Sequence, residues 1–318
     1  MRTGALEDAP ELVSGSGLDG FELITTPRAL AQAPLELARQ ASAVHEVQRG
    51  PVDQVAGSLV DSVRGSAIVA LGGGRVIDTA KAIAAVKGAR VAAIPTTLSG
   101  AEITAIHRLP EGHRASRLVR PVLAVCDPEW MTTLPEPELR ASAMNALAHG
   151  ADSLSTPLSN PVATMAALRG AELIAKALDQ ATPKRDVVAL TAGAVLSAWA
   201  LDSALFGLHH VVCQTLVRAL SIPHAETNAA MLPRTMEAMV ERAPAAMKAL
   251  AAALGTSVAE LGARIEGLGG GPWRLRELGA EEGGVDAAVE AMLARPELAM
   301  TPDPPGADEL RELVWAAW

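Results

Sequence analysis

A short apolar run that stops at three glycines constrains the fold of this chain more than any other feature. Residues 67–71 are apolar throughout, Gly72, Gly73 and Gly74 follow them, and residues 76–86 then carry helical periodicity. A strand that turns through glycines into a helix can hold a phosphate, because the backbone N–H groups approach closely and the helix N-terminus carries a partial positive charge. The turn matches neither Gly-x-Gly-x-x-Gly nor a Walker A loop, so a plain glycine turn under a sheet edge is the alternative.

Further strand and helix patterns surround this turn. Short apolar runs at 21–26, 90–94 and 121–126 predict strands, and residues 34–43 predict a helix. Strands that are apolar on both faces and alternate with helices indicate a parallel sheet covered by helices. From about residue 138 the chain consists of long segments rich in Ala and Leu with helical spacing.

These patterns predict two domains of different class. We expect an α/β nucleotide-type domain with a parallel sheet over residues 1–137 and an all-α domain over residues 138–318. Few residues precede the first strand-like run, so the first domain is expected to be abbreviated at its N-terminus.

Composition excludes several classes of partner. The net charge is −9, and the chain has no Tyr and two Phe, which argues against binding to a phosphate backbone or stacking on bases. Cys126 and Cys213 lack metal-ligand spacing and indicate reduced thiols. The N-terminus has no signal-peptide pattern, and no long uncharged apolar run stands out. We therefore expect a cytoplasmic protein that binds neither nucleic acid nor a membrane.

Polar residues on apolar helices indicate a site in the second half. Asn145 and His149 lie one helical turn apart, and His210 and His224 lie on either side of a turn, in a chain with only seven His. A buried polar group is costly unless it is paired, and imidazole suits either proton transfer or metal coordination. Hydroxyl-bearing residues at 96–99 follow another strand, where ligands bind in open α/β sheets, although a capped turn is the alternative.

Taken together and in this order, the motifs resemble the iron-containing alcohol dehydrogenase family of the dehydroquinate synthase-like superfamily, and its maleylacetate reductase branch most closely. The resemblance rests on the stretches 72–81, 95–104, 126–128, 145–149, 207–210 and 223–226. It implies a dinucleotide-binding first domain, a substrate in a cleft between the domains, and a homodimer. The cofactor NAD(P)H would contact Gly72, Gly73, Gly74, Thr96, Thr97 and Ser99.

The resemblance also implies a position for a metal. Metal-dependent members hold a divalent ion with one Asp and three His, at the positions of Asn145, His149, His210 and His224. Asn145 replaces the aspartate, so the site loses a negative charge that would offset the cation. The maleylacetate reductase branch implies the same Asn and no metal. We therefore expect no metal ligands in use, and a divalent metal to be unlikely.

The function implied is NAD(P)H-dependent hydride transfer to a small unsaturated oxo acid that carries carboxylates. His209, His210 and His224 are the candidate proton donors, with His149 in support. Arg108 and Arg218 can bind substrate carboxylates, and Asn145 and Gln214 are expected to contact the substrate. Gln214 stands where the family commonly has a further His, and it can hydrogen bond but cannot carry a proton.

Three questions stay open from the sequence. One alternative is a metal-dependent alcohol or aldehyde dehydrogenase in which Asn145 is a weak ligand. The other is a family member repurposed for non-redox cyclase, lyase or isomerase chemistry. The choice between NAD and NADP is also open, although Arg28 follows the strand at 21–26 and an Arg there favours the 2′-phosphate of NADP.

Overall fold

The computed structural model describes residues 1–115 and 117–318, which form two compact units, Met1–Leu134 and Pro135–Trp318. The first unit contains a parallel five-stranded sheet in the order β2-β1-β3-β4-β5. Its strands are β1 (Glu22–Thr25), β2 (Ala43–Glu46), β3 (Ala67–Gly72), β4 (Arg90–Pro95) and β5 (Leu123–Ala124). Its helices are α1 (Ala9–Gly15), α2 (Pro27–Gln32), α3 (Leu35–Gln40), α4 (Val52–Leu59), α5 (Gly74–Lys87) and α6 (Pro128–Met131).

Both faces of this sheet are buried, which explains why its inner strands are apolar without alternation. On one face Ile24, Ile68 and Val91 belong to a cluster of buried side chains shared with α4 and α5. On the other face Leu23 and Val69 belong to a second cluster, shared with α1 and α3. Successive side chains of a strand point to opposite faces, so a strand between two helical layers needs apolar residues at every position.

The sequence prediction for this unit was wrong in two details. The helix predicted over 34–43 ends at Gln40, and the edge strand β2 follows it. The strand predicted over 121–126 is reduced to the two residues of β5. β1 pairs with β3 along all four of its residues, so β1 is the strand that lies beside the glycine turn.

The second unit is helical throughout its described length. Its α-helices are α7 (Glu136–Ser153), α8 (Pro161–Leu178), α9 (Val187–Ala204), α10 (Leu208–Leu220), α11 (His224–Arg242), α12 (Pro244–Ala253), α13 (Leu261–Leu268), α14 (Val285–Leu293) and α15 (Ala307–Ala316). Short 3-10 helices lie at Thr182–Lys184, Val258–Glu260, Leu275–Leu278, Glu282–Gly284 and Pro296–Met300. The fold class expected from the sequence, an α/β parallel-sheet part followed by an all-α part, is confirmed.

Helices α7, α8 and α9 pack closely because glycines face one another. A Cβ atom built on Gly170 of α8 would lie 2.8 Å from the carbonyl oxygen of Gly193 on α9. A Cβ atom built on Gly150 of α7 would lie 3.3 Å from the α8 backbone at Ala167. This contact fixes α7, which carries two of the expected site residues.

Among the described residues, one helix, α9, is long and apolar enough to cross a membrane by length and composition. Of this helix, 50% is buried inside the protein. The core helix of a soluble protein can have the same length and composition. The expectation that no such run exists therefore needs this qualification, and the helix is weak evidence for a membrane span.

Candidate active site

The glycine turn of the first unit leaves no room for side chains. Gly72 ends β3 with φ of +156°, and a Cβ atom there would lie 2.7 Å from Val76. Gly74 begins α5, and a Cβ atom on it would lie 2.8 Å from Ser99 in the segment after β4. Close approach of backbone to a ligand and to the neighbouring segment is what glycine permits, so this turn fits a phosphate-holding role.

A cavity of about 690 Å³ lies over the turn, at the carboxyl ends of β1, β2, β3 and β4. Of the six residues expected to hold the cofactor, Gly73, Gly74, Thr96 and Thr97 line it. The other two, Gly72 and Ser99, are not among its lining residues. Gly72 packs against Val76 and Ser99 packs against Gly74, so both shape the turn.

Lys81 connects helix α5 to the segment that follows β4, and the sequence did not predict this role. Its side chain is fully buried on α5. The ammonium donates hydrogen bonds to Asp78 (2.8 Å), to the carbonyl of Ala101 (3.0 Å) and to the carbonyl of Ile106 (2.9 Å). All three of its protons therefore have acceptors, as a buried ammonium requires. Lys81 ties the helix that follows the glycine turn to the segment that follows β4.

Glu102 lies next to this connection and is buried. Neither of its carboxylate oxygens has a hydrogen-bond partner within residues 1–115 and 117–318. Burial raises the pKa of Glu102 to about 7, although the charge of Lys81 acts in the opposite direction. Removal from water disfavours the charged form of a carboxyl group, so Glu102 is partly protonated at neutral pH.

Three of the expected site residues of the second unit meet in its interior. Asn145 and His149 are buried one turn apart on α7, and His210 is buried on α10. The rings of His149 and His210 stack with centroids 5.1 Å apart and planes 22° apart. Within the described part of the chain, Asn145 Oδ1, His149 Nδ1 and His210 Nε2 are buried and have no hydrogen-bond partner.

Asp152 organises this cluster, and sequence reasoning did not name it. It lies on α7 and is 1% exposed. Its carboxylate accepts hydrogen bonds from the backbone N–H groups of Gly207 (3.0 Å), His209 (3.4 Å) and His210 (3.1 Å), so it caps the start of α10. It also accepts from Nδ1 of His210 at 3.0 Å. Burial raises the pKa of Asp152, but the hydrogen bonds from the ring and the backbone N–H of His210 outweigh this, so its pKa lies below the ordinary value.

The hydrogen bond to Asp152 sets the direction of the His210 ring. With Nδ1 donating to the carboxylate, Nε2 keeps its lone pair and faces the cluster. A carboxylate behind an imidazole is the arrangement that orients histidine ligands in metal sites. The sequence offered one signal for Asp152, a carboxylate three residues after His149 on an otherwise apolar helix.

His209 does not take the position of a proton donor. It is fully buried, its Nε2 lies 2.8 Å from Asn228 Oδ1, and its Nδ1 lies 2.8 Å from the hydroxyl of Thr235. Burial, reinforced by the charge of His210, lowers the pKa of His209 to about 3, so the ring is neutral at physiological pH. Both nitrogens are occupied inside the protein. The expectation that His209 is catalytic needs correction, because its ring positions other groups.

The same network reaches His224. The amide nitrogen of Asn228 donates to the backbone carbonyl of His224 at 2.7 Å and lies 3.4 Å from its Nε2. His224 is the first residue of α11. Its side chain is exposed, whereas those of His149 and His210 are buried. Burial is the main cause that lowers the pKa of His149 well below its ordinary value, and His210 and His224 act in the same direction.

The remaining residues predicted to bind substrate are less buried than Asn145, His149 and His210. Gln214 is half-buried on α10, one turn after His210, and Arg218 is exposed one turn beyond Gln214. Arg108 is exposed in the first unit, where its backbone carbonyl lies 2.8 Å from Nδ1 of His107. Gln214 therefore lies on the same helix face as His210, and Arg218 continues that face toward solvent.

The cluster fits a divalent cation. Its three atoms without partners are an amide oxygen and two imidazole nitrogens, and each of them offers a lone pair. Among the residues that the structure describes, no group of three or more His, Cys, Asp or Glu is placed to hold a metal ion, so a metal here would need the amide oxygen of Asn145 as a ligand. Burial of these atoms without partners is costly, and an ion bound by all three would remove that cost.

Proteins of known activity are similar to this chain over most of its length. Maleylacetate reductase of Burkholderia cepacia is 35% identical over 308 residues, which cover 92% of this chain and 81% of that protein. Maleylacetate reductase 1 of Rhodococcus opacus is 33% identical over 259 residues, covering 79% of this chain and 72% of that protein. The crystal structure of maleylacetate reductase from Agrobacterium tumefaciens matches with a TM-score of 0.85 and 30% identity, and covers 99% of this chain and 94% of that one.

Two family models match, one in each half of the chain. The model for iron-containing alcohol dehydrogenase matches residues 1–128, and the model for the C-terminal part of the Fe-containing alcohol dehydrogenase family matches residues 140–318. This family implies a divalent metal, iron, in addition to NAD(P)H. The expectation that a divalent metal is unlikely is therefore wrong. The loss of the aspartate at Asn145 removes one charge from the donor set, but the imidazoles and the amide oxygen are still present. This chain belongs to the iron-containing alcohol dehydrogenase family, near its maleylacetate reductase branch.

Proposed function

We propose that this chain reduces maleylacetate, or a closely similar unsaturated oxo acid, with hydride from NAD(P)H. One observation carries the proposal. Asn145, His149 and His210 each bury a polar atom without a partner among the described residues, and the rings of His149 and His210 stack, in a chain that is 35% identical to a maleylacetate reductase.

Hydride transfer to the carbon of a C=C bond conjugated with a carbonyl leaves negative charge on the carbonyl oxygen. Groups directed at that oxygen provide the main stabilisation of the transition state, roughly 3–4 kcal/mol for each well-placed donor. When bound, a divalent ion would polarise this oxygen as a Lewis acid. We assign its ligands to Asn145, His149 and His210, with His224 as the fourth and exposed member of the set.

The protein residues around that set orient the substrate and admit its proton. The Gln214 amide, one helical turn from His210, can hydrogen bond to an oxo group. Arg218, exposed on the same face of α10, can bind a carboxylate in a bidentate way, and Arg108 is a second candidate for this role. Because His224 is exposed at the start of α11, water has access at this side, and the proton that completes the reduction at carbon arrives from there.

The first test is NAD(P)H oxidation with maleylacetate by iron-reconstituted protein. Wild type should turn over, and His210→Ala should lose at least about a hundredfold in kcat/KM, because it removes one buried lone pair and leaves Asp152 without its imidazole partner. His113→Ala is the matched control, since that ring lies on a turn of the first unit beside the carbonyl of Glu111. Equal turnover in all three proteins would remove the cluster from the mechanism.

We also propose that the chain is cytoplasmic and acts as a homodimer. Two buried free thiols suit a reducing compartment. Leu158, Val162 and Met165, at and just before the start of α8, are exposed apolar side chains, and such patches often mark contacts between subunits. Light scattering after size exclusion tests the dimer. A mass of one chain at working concentration would contradict it.

A further inference from the structure

The cavity over the glycine turn is charged at one end. Four charged side chains line it, namely Arg28, Glu46, Arg49 and Arg75. Within the described part of the chain, the side chains of these four residues make no hydrogen bond or ion pair with one another or with their surroundings. Their charges are therefore available to a ligand in the cavity.

Glu46 is the single carboxylate among the described lining residues, and its place in the sheet is defined. It is the last residue of β2, and β2 pairs with β1, which pairs in turn with β3 and its glycine turn. Adjacent strands lie about 4.8 Å apart, so the end of β2 is roughly 10 Å from the end of β3. A ribose joined to a pyrophosphate at Gly73 and Gly74 can span that distance.

A carboxylate in this position distinguishes the two nicotinamide cofactors. It accepts hydrogen bonds from the vicinal hydroxyl groups of the adenosine ribose in NADH. NADPH carries a phosphate on the 2′ oxygen, which removes one of those donors and adds about −1.5 to −2 charge units at pH 7. We propose that Glu46 makes this enzyme selective for NADH over NADPH. The inference rests on the proposed function, because it requires a nicotinamide dinucleotide in this cavity.

The three arginines do not reverse that preference. Arg75 lies in the first turn of α5, next to the position of the pyrophosphate, and Arg28 lies in the first turn of α2. Arg49 follows β2 by three residues. They can attract the shared pyrophosphate of either cofactor, whereas Glu46 meets the one group in which the cofactors differ. Like charges brought together discriminate strongly in a recognition site. Arg28 alone favours NADP, and with Glu46 in the same cavity we infer selectivity for NADH instead.

The same charges predict what happens when Glu46 is removed. Without the carboxylate, Arg28 and Arg49 are two unpaired guanidinium groups at the ribose end of the cavity, and such groups bind phosphate well. Loss of one negative charge therefore does more than weaken NADH binding. It converts this end of the cavity into a site that accepts a 2′-phosphate.

The test is calorimetric titration of the full-length protein with NADH and with NADPH, which requires no substrate. Wild type should bind NADH more than about tenfold tighter than NADPH. Glu46→Ala should raise NADPH affinity and lower NADH affinity, so that the ratio of the two falls at least about tenfold, and Glu46→Gln should change the ratio in the same direction. Glu36→Ala on α3 removes a charge outside the cavity and should leave the ratio unchanged.

A second pair of variants tests the arginines. Adding Arg28→Ala or Arg49→Ala to Glu46→Ala should reduce NADPH affinity about tenfold and change NADH affinity less. Retained NADH binding shows that each variant is folded. Equal or tighter binding of NADPH by wild type, or an unchanged ratio in Glu46→Ala, would overturn the inference and leave the proposed function intact. Failure of wild type to bind either dinucleotide would overturn the proposed function, and this inference with it.

Discussion

Asp152 is the single residue on which the geometry of the histidine cluster depends most. It caps α10 and holds the ring of His210 with one carboxylate, so helix position and ring direction are set together. Sequence periodicity predicted that Asn145 and His149 share a helix face, because they lie four residues apart. It could not predict that Asp152 meets a helix start at Gly207, since that contact joins residues 55 positions apart in the chain.

Replacement of Asp152 by asparagine should lower iron affinity by about 10- to 100-fold, because a neutral amide orients the His210 ring less well and can no longer accept hydrogen bonds with both of its terminal atoms. The measurement is iron retained after dialysis against a graded chelator. Asp308→Asn is the control, since that carboxylate is 98% exposed on α15. Identical iron retention in wild type and Asp152→Asn would mean that Asp152 only stabilises the helix start.

His209 shows where residue chemistry alone misleads. From the sequence alone, an imidazole beside His210 is a reasonable proton donor. In the structure, the His209 ring is fully buried and both of its nitrogens have partners. With the pKa lowered to about 3 the ring is neutral at physiological pH, and its two nitrogens lie against Asn228 and Thr235 inside the protein. Burial and partners are properties of the folded chain, so spacing could not separate His209 from His210.

Among the elements, the contact of α8 with α9 has the least tolerance for added atoms. A Cβ atom on Gly170 would lie 2.5 Å from the Ser197 hydroxyl and 2.8 Å from the carbonyl of Gly193. Gly170→Ala should therefore lower the free energy of unfolding by about 1–3 kcal/mol, measured by urea denaturation. Gly267→Ala in α13 has no atom within 4 Å and should raise it by up to about 1 kcal/mol through helix propensity. Equal effects of the two changes would contradict the close packing.

The start of α7 is held by an ion-pair cluster that gives a pH dependence. Glu136 accepts hydrogen bonds from Arg185 (2.7 and 2.6 Å) and from Arg140 (2.6 Å). The hydrogen bonds from Arg185 lower the pKa of Glu136 to about 2 despite partial burial, and Arg140 lowers it further. Because the folded pKa lies below the unfolded value of about 4.3, this stabilisation is complete above pH 4.3 and is lost as the pH falls through about 2.

Glu136→Gln should consequently lower the Tm by a few degrees at pH 7, and the difference from wild type should shrink as the pH is taken from about 5 to about 2. Thermal unfolding followed by circular dichroism over that range is the measurement. Glu138→Gln, on the exposed side of the same helical turn, should track wild type at every pH. A Glu136→Gln difference that stays constant with pH would argue against the cluster as its source.

The elements differ in how far the sequence predicted them. β3, β4 and the long helices were predictable because their apolar patterns are continuous. β2 was not predictable, because an edge strand of four residues with alternating exposure carries only a weak apolar pattern. Because β2 was missing from the sequence prediction, Glu46 was not predicted to line the cavity. Glu46 lies there because β2 pairs with β1.

At the scale of the whole molecule, the chemistry is divided between the two units. The glycine turn, Lys81 and the charged cavity belong to Met1–Leu134, and the polar cluster around His210 belongs to Pro135–Trp318. The two family models match both units, and this family implies a divalent metal. The expectation drawn from Asn145, that a metal is unlikely, is therefore wrong.

The most direct measurement is the rate of NAD(P)H oxidation with maleylacetate as metal-depleted enzyme is titrated with Fe²⁺. Since Asn145, His149 and His210 each bury a polar atom without a partner among the described residues, and the two rings stack, we predict that the rate rises with added iron and reaches a plateau near one equivalent per chain. His210→Ala should show no such rise. A wild-type rate that is independent of iron, or the absence of any oxidation of NAD(P)H at the plateau, would contradict the account.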